Sequence, residues 1–234
     1  MSIGKANCLV CAKPIVYFEE AQDVACVICG KKETGHCMCE DGHYVCDACH
    51  REQGIDFIEK TCLESSKTNP IDLAIEIMGN QSIYPNGPEH HSLVGMVLLT
   101  AYRNAGGDID LEKAMGEMRS RSMCVPGGTC GFWGVCGAAA SAGQAMSIIT
   151  GSTPMKTDEW AQCQAVTSDI LGRLAEVGGP RCCKRTSFTA IIASVEHIAR
   201  NTSVQMELPE KTTCIFCARN AECLRQSCPY FSAA

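Results

Sequence analysis

Residues 35–50 read GHCMCEDGHYVCDACH, and this stretch decides how the N-terminal quarter of the chain folds. Four of its residues are cysteines and three are histidines. Soft ligands at this density are typical of a metal site. A segment this short cannot bury enough apolar surface to fold alone, so we expect bound zinc to supply the missing stability.

Further ligand pairs surround the stretch. Two Cys-x2-Cys pairs precede it, and a third such pair lies at its end. Each pair can direct both sulfurs at one tetrahedral ion. The candidate metal ligands are Cys8, Cys11, Cys26, Cys29, Cys37, Cys39, Cys46 and Cys49, with His43 or His50 replacing a cysteine.

Two pairings of these ligands are open. Sequential pairing joins the first four cysteines in one site and the last four in another. A cross-braced pairing joins Cys26/Cys29 to Cys46/Cys49 and leaves Cys8/Cys11 to meet Cys37, Cys39 or a histidine. Either pairing makes two tetrahedral sites in a zinc-ribbon-like module.

The C-terminal stretch CIFCARNAECLRQSCPYF carries a second ligand pattern, C-x2-C-x5-C-x4-C. Its cysteines are Cys214, Cys217, Cys223 and Cys228. Four thiolates at this spacing suit zinc or a [4Fe–4S] cluster, and the final Cys-Pro is similar to ferredoxin-type ligation. The segment is also similar to the auxiliary-cluster motif at the ends of some radical-SAM enzymes, with one extra residue in the last gap.

Between these two segments the chain has helical periodicity. Apolar residues recur at helical spacing, and glycines or capping residues separate the periods. The predicted helices begin at Pro70, span 90–105, follow the cap Asp110, span 136–150 and 157–177, and run from Pro180 to about Arg200.

Reactive side chains fall at three of these predicted helix starts. They are His90 and His91, then Cys130 and Cys136 in a glycine-rich loop, then Cys182 and Cys183. Helix N-termini lower the pKa of a thiol and keep a histidine neutral. If the three starts converge, they form an electropositive pocket lined by thiols, which suits a cluster, a sulfide, or an anionic or thiol substrate. These six residues are therefore the candidate catalytic residues.

Composition excludes several classes of protein. The chain has 234 residues, of which 46% are hydrophobic and 20% charged, as in ordinary globular proteins. The net charge of −6, without a basic run, argues against a nucleic-acid partner. No apolar stretch suits a secretion signal or a membrane span. The 19 cysteines, mostly in close pairs, then indicate reduced thiolates in the cytoplasm.

The motifs together resemble an uncharacterised cysteine-rich family of anaerobic archaea and bacteria. The matching residues are GHYVCDACH, PEHH, PGGTCGFWGVCGAAASAG and GGPRCCKR. The resemblance implies a methyltransferase or radical-SAM partner protein. Cys136, Gly137 and Ala138, with Cys182 or Cys183, are more distantly similar to the helical redox family named for its C-GCAxxG-C-C pattern.

The sequence therefore predicts a mainly α protein with a central helical bundle. The expected domains are a metal-binding module at 1–60, a helical domain with a Cys/His-lined site at 68–203, and a four-Cys metal knot at 209–234. Two functions follow. The protein is a metal-binding redox or sulfur-transfer protein or enzyme, or it is a zinc-stabilised accessory protein for a methyltransferase or radical-SAM partner.

Overall fold

A computed structural model describes residues 8, 10–11 and 13–232. Two strands and eight α-helices make up this part of the chain. The strands are β1 (Ile15–Ala25) and β2 (Lys32–Cys39). The helices are α1 (Asp47–Glu64), α2 (Pro70–Gly79), α3 (Glu89–Asn104), α4 (Leu111–Met123), α5 (Thr129–Phe132), α6 (Gly137–Thr150), α7 (Asp158–Val177) and α8 (Cys183–Asn201). Within the described residues, no helix has the length and apolar character needed to cross a membrane.

The two strands form an antiparallel hairpin, with Ile15 opposite Cys39 and Ala25 opposite Lys32. The register shifts between Tyr17 and Gln22, where β1 bulges. Most hairpin side chains are exposed, so the hairpin contributes little to the apolar core. Its buried residues are Val24, Gly35 and Cys39.

Helix α1 was not predicted from the sequence, which indicated only a metal-binding module over residues 1–60. It buries Ile55, Ile58 and Cys62, which lie three and four residues apart on one face. A Cβ on Gly54 would lie 3.2 Å from Ser82 O, so glycine lets α1 approach the loop after α2 closely. Because α1 continues past residue 60 into the main core, it joins the ligand-rich segment to the helices.

Helix α3 is the most deeply buried element. All of its residues from Glu89 to Tyr102 are buried, and it contacts α1, α2, α4, α6 and α8. The described chain is thus mainly helical, as predicted. The arrangement as a bundle and the division into three domains stay predictions.

Two predicted helix starts are confirmed, and one is wrong. Helix α2 begins at Pro70 and α4 follows the cap Asp110, as predicted, and the side-chain oxygen of Asn69 caps α2. The prediction that Pro180 opens the last helix is wrong, because α8 begins at Cys183. The carbonyl groups of Gly178 and Pro180 instead accept hydrogen bonds from Arg185 Nη2, and this holds residues 178–180 in a loop before the helix.

Helices α6 and α7 pack closely through small residues. A Cβ on Gly143 of α6 would lie 2.3 Å from Thr167 Oγ1 and 3.5 Å from Cys163 O, both on α7. Gly116 of α4 has no atom within 4 Å of the same position. Substitution of Gly143 therefore tests close packing, whereas substitution of Gly116 tests only the general cost of glycine in a helix.

We expect Gly143→Leu to lower the free energy of unfolding by about 1–3 kcal/mol, because the added side chain overpacks the α6–α7 contact. Gly116→Ala should raise it by roughly 0.5–1 kcal/mol through helix propensity alone. Urea unfolding followed by circular dichroism measures both values. Equal stabilisation by the two substitutions would contradict close packing at Gly143.

Candidate metal centres and thiol-lined cavity

Two groups of four side chains in the N-terminal segment place their ligand atoms within 4.8 Å of one another. One group is Cys26, Cys29, Cys46 and Cys49, and the other is Cys8, Cys11, Cys39 and His43. The sequence left two pairings of the ligands open, and the structure shows the cross-braced one. Each group could hold a metal ion.

The distances within the groups are those of a shared tetrahedral centre. Cys11 Sγ lies 3.8 Å from Cys39 Sγ, and Cys29 Sγ lies 3.7 Å from Cys46 Sγ. A metal–sulfur bond of about 2.3 Å places tetrahedral sulfurs about 3.8 Å apart. His43 Nδ1 lies 3.4 Å from Cys39 Sγ, which completes the first group.

His43, and not Cys37, is the fourth ligand of the first group. A tight turn after β2 brings it there, with the His43 amide donating to Cys39 Sγ at 3.3 Å and a positive φ at Gly42. Cys37 lies two residues back along β2, and its sulfur is not among the four ligand atoms that lie together. The Cys-x3-His spacing with a glycine before the histidine was the available sequence signal.

His50 also lies outside both groups. Its ring stacks on Tyr84, with centroids 3.4 Å apart and planes 4° from parallel. Burial lowers the pKa of His50. The helical turn after Cys49 directs this histidine into the helical core and away from the metal group.

Backbone amides favour the thiolate form of the ligands. Val10 N donates to Cys8 Sγ at 3.4 Å. Burial opposes ionisation of Cys26, but the amides of Cys29 and Cys46 outweigh it and lower its pKa to about 6. Hydrogen bonding of this kind prepares a cysteine to bind a cation.

A cavity of about 940 Å³ lies where α1, α3, α6 and α8 begin. All six candidate catalytic residues line it: His90, His91, Cys130, Cys136, Cys182 and Cys183. The structure thus brings together the three helix starts that the sequence singled out. That these residues are catalytic stays a prediction.

Lys184, His90 and Tyr84 form a buried polar chain behind the cavity wall. Lys184 Nζ donates to Tyr84 O at 2.9 Å and to His90 Nε2 at 3.0 Å. His90 Nδ1 lies 3.1 Å from Gly87 O and donates to it, which fixes the tautomer. Burial, followed by the Lys184 charge, lowers the pKa of His90, and burial lowers that of Lys184 to about 8.

His91 packs against the start of α6. Its Nδ1 donates to Val125 O at 3.2 Å, and a Cβ on Gly137 would lie 2.2 Å from its Nε2. Burial lowers the pKa of His91, and the nearby Arg51 charge lowers it further. The two histidines are therefore neutral, as expected, although burial and not the helix dipole is the main cause.

The thiol of Cys183 differs from expectation. The helix start was expected to lower its pKa, but burial raises it to about 12, against a hydrogen bond from the Gly87 backbone. Desolvation disfavours a thiolate more strongly than one amide favours it. Cys130 is exposed, whereas Cys136 and Cys182 are half-buried, and both half-buried cysteines are helix N-caps without a side-chain hydrogen bond to their helix.

The C-terminal cysteines surround a second, smaller cavity. Five sulfurs line it, since Cys182 joins Cys214, Cys217, Cys223 and Cys228. Phe216 N donates to Cys214 Sγ and Arg225 N to Cys223 Sγ, both at 3.4 Å, which repeats the amide–sulfur bonding of the N-terminal ligands. Tyr230 fastens the segment to α8 through a hydrogen bond of 2.9 Å with Thr189.

Three residues that line the large cavity were missed by sequence reasoning: Arg51, Tyr84 and Glu89. Arg51 comes from α1, which was not predicted as a helix. Glu89 Oε1 accepts from Tyr84 N at 3.1 Å. The signal for Glu89 was its place beside His90 and His91 at a predicted helix start.

We expect the N-terminal segment to bind two metal ions. Substitution of Cys39, which is in a ligand group, and of Cys37, which is not, tests this expectation. Cys39→Ser should remove one ion per chain, because it breaks a four-ligand group. Cys37→Ser should leave the metal content unchanged. Elemental analysis of both variants measures the stoichiometry, and loss of an ion from Cys37→Ser alone would contradict the assignment.

Comparison with known proteins places most of the helical part in a family. No curated protein and no solved structure matches the chain. A family model, described as a family of unknown function (DUF5714), matches residues 58–231. This range contains all six residues at the predicted helix starts and all four C-terminal cysteines, but it excludes the two N-terminal ligand groups. The chain belongs to DUF5714, a family of unknown function.

Proposed function

We propose that this protein is a metal-binding redox or sulfur-handling protein. In this proposal the C-terminal cysteines hold a [4Fe–4S] cluster, and the large cavity binds the molecule that is reduced or that carries sulfur. One observation carries the proposal: Cys182 lines both cavities, so a single thiol lies between the C-terminal cysteines and the site lined by histidines and cysteines.

The spacing of the C-terminal sulfurs supports a cluster. They are not among the described groups whose ligand atoms lie within 4.8 Å of one another, unlike the two N-terminal groups. A cubane of four irons separates its ligand sulfurs more widely than a single tetrahedral ion does. The N-terminal groups therefore suit zinc, and the C-terminal cysteines suit the larger centre.

Charge supports the same assignment. Lys184 and Arg185 line the small cavity and are buried, at 3% and 4% exposure. Their hydrogen bonds go to His90 and to backbone carbonyl groups, and the carboxylate of Glu89 acts on Lys184 from a longer distance. Two buried cations near one carboxylate leave an excess of positive charge, which is costly to bury, and a centre held by four thiolates would balance it.

The chain's own residues supply the other parts of the site. The cluster would supply one-electron transfer. Cys182 would lie between it and the large cavity, and Lys184 orients His90, which burial keeps neutral. Cys183 lines the large cavity and keeps its proton because of burial. A protonated thiol can give its proton to a bound molecule that accepts electrons.

A second function is supported by the surface beside the cavity. Phe132 and Trp133 follow Cys130 and are 88% and 65% exposed. Neighbouring exposed aromatic residues are typical of protein-binding surfaces. They favour the alternative of a zinc-stabilised accessory protein, with a methyltransferase or radical-SAM protein as the partner that the family resemblance implies.

Anaerobic purification tests the first proposal. We expect brown protein with an absorption band near 400 nm and about four irons and four sulfides per chain, as a [4Fe–4S] centre requires. Cys228→Ser should lose most of this iron, because it removes a ligand. Cys124→Ser, which changes an exposed cysteine outside both cavities, should retain it.

Colourless wild-type protein that carries zinc at the C-terminal cysteines would contradict the redox proposal and favour the accessory function. The Cys182→Ser variant tests whether Cys182 is itself a cluster ligand. If the four C-terminal cysteines are the ligands and Cys182 only lies between the two cavities, this variant keeps its iron.

A further inference from the structure

Residues 84–88, the loop before α3, form part of the wall of the large cavity. The carbonyl of Tyr84 accepts a hydrogen bond from Lys184 Nζ at 2.9 Å. Asn86 Oδ1 accepts one from the amide of Cys183, also at 2.9 Å. Both donors belong to the first two residues of α8. The position of this loop therefore determines how the start of α8, with the buried thiol of Cys183, is held at the cavity.

A histidine from α1 packs on the same loop. The ring of His50 stacks on the ring of Tyr84, with centroids 3.4 Å apart and planes 4° from parallel. His50 is 2% exposed, and its Nε2 has no hydrogen-bond partner among the residues that the structure describes. The stacking contact therefore joins α1 to the loop, and it depends on where the first turn of α1 places His50.

Two ligands of one candidate metal group fix that turn. Cys46 is the N-cap of α1 and Cys49 directly precedes His50, and both belong to the group that includes Cys26 and Cys29. The amide of His50 donates to the carbonyl of Cys46 at 2.9 Å. An ion bound by both cysteines would hold the turn that contains this bond. Without the ion the turn would fray, as helix ends do where nothing ties them.

The same group is open to oxidants. Its Cys29 is exposed, whereas the cysteines of the other N-terminal group are buried or half-buried. Cys29 Sγ lies 3.7 Å from Cys46 Sγ, so a small movement brings the two to the disulfide length of about 2.05 Å. Two thiolates, one hydrogen peroxide and two protons give one disulfide and two molecules of water, as the O–O bond breaks and the S–S bond forms. The disulfide lacks the charge that binds a cation, so the ion leaves.

We propose that the ligand group of Cys26, Cys29, Cys46 and Cys49 is a redox-sensitive switch for the large cavity. While the group is reduced and holds an ion, α1 keeps His50 on Tyr84 and the 84–88 loop is fixed. Oxidation by a peroxide releases the ion, frays the first turn of α1 and loosens the loop. The switch does not depend on which centre the C-terminal cysteines hold.

Hydrogen exchange of the full-length, metal-loaded protein tests the switch, because it measures loosening of the loop without reference to any activity. We expect hydrogen peroxide to release zinc from the N-terminal segment. Amide exchange in the peptide that covers residues 84–92 should then become roughly threefold to tenfold faster, as the loss of a stabilising contact allows. Exchange that stays slow after the zinc has left, or zinc that peroxide does not release, would overturn the switch.

Two ligand variants assign the effect to one group. Cys49→Ser should lose one ion, show fast exchange at 84–92 before peroxide is added, and show no further change afterwards. Cys39→Ser loses the ion of the other group and should keep both the slow exchange and the response to peroxide. Equal loosening in the two variants would overturn the assignment. So would a response to peroxide in Cys49→Ser, because the oxidant would then act at other cysteines.

His50→Ala separates the stacking contact from the ion, and it serves even if Cys49→Ser does not fold. It should keep both ions, because His50 is not a ligand. Exchange at 84–92 should be fast whether or not the ion is bound, because the ring that holds Tyr84 is gone. Slow exchange that still rises with peroxide would show that the stack is not the connection.

Helix α7 provides the internal reference, since it lies outside the 84–88 loop and outside α1. Its exchange should be the same in every sample. Faster exchange in α7 that matches the change at 84–92 would mean that the whole fold is destabilised, and this would also overturn the switch.

Discussion

A buried ammonium group lies between the two cavities and ties their walls together. Lys184 Nζ donates to Tyr84 O and to His90 Nε2, and it lies 5.3 Å from the centre of the Phe216 ring. These contacts join the loop before α3, α3 itself, α8 and the C-terminal segment. Because a buried cation is stable only while its hydrogen bonds are made, these four parts of the chain depend on one another.

Buried cations outnumber buried carboxylates near the C-terminal cysteines. Lys184 and Arg185 are almost completely buried, and Glu89, which acts on Lys184, is the one buried carboxylate among the described residues. Thiolates at the C-terminal cysteines would lie next to the two cations and would balance their charge. The proposed cluster and the buried cations are therefore electrostatically compatible.

Local patterns in the sequence carried most of the prediction. The Cys-x2-Cys pairs identified ligands because their spacing is itself the geometry of a tetrahedral site. Pro70 and Asp110 marked helix starts because proline and a capping side chain act within the first turn. The sequence left the choice among His43, His50 and Cys37 open, because the geometry of the turn after β2 makes that choice. It missed helix α1, where packing on the core stabilises a helix despite Gly54. The pKa of Cys183 was wrong for the same reason, since burial depends on the whole fold.

Helix α1 connects one N-terminal ligand group to the cavity, although that group lies outside the range that the family model matches. Cys46 and Cys49 belong to one ligand group and also form the N-cap and first turn of α1. His50 and Arg51 follow directly, and both line the large cavity. An ion bound by Cys46 and Cys49 would fix the first turn of α1 and, with it, the direction of the Arg51 guanidinium. A metal ion that folds the N-terminal segment would therefore also position a side chain that lines the cavity.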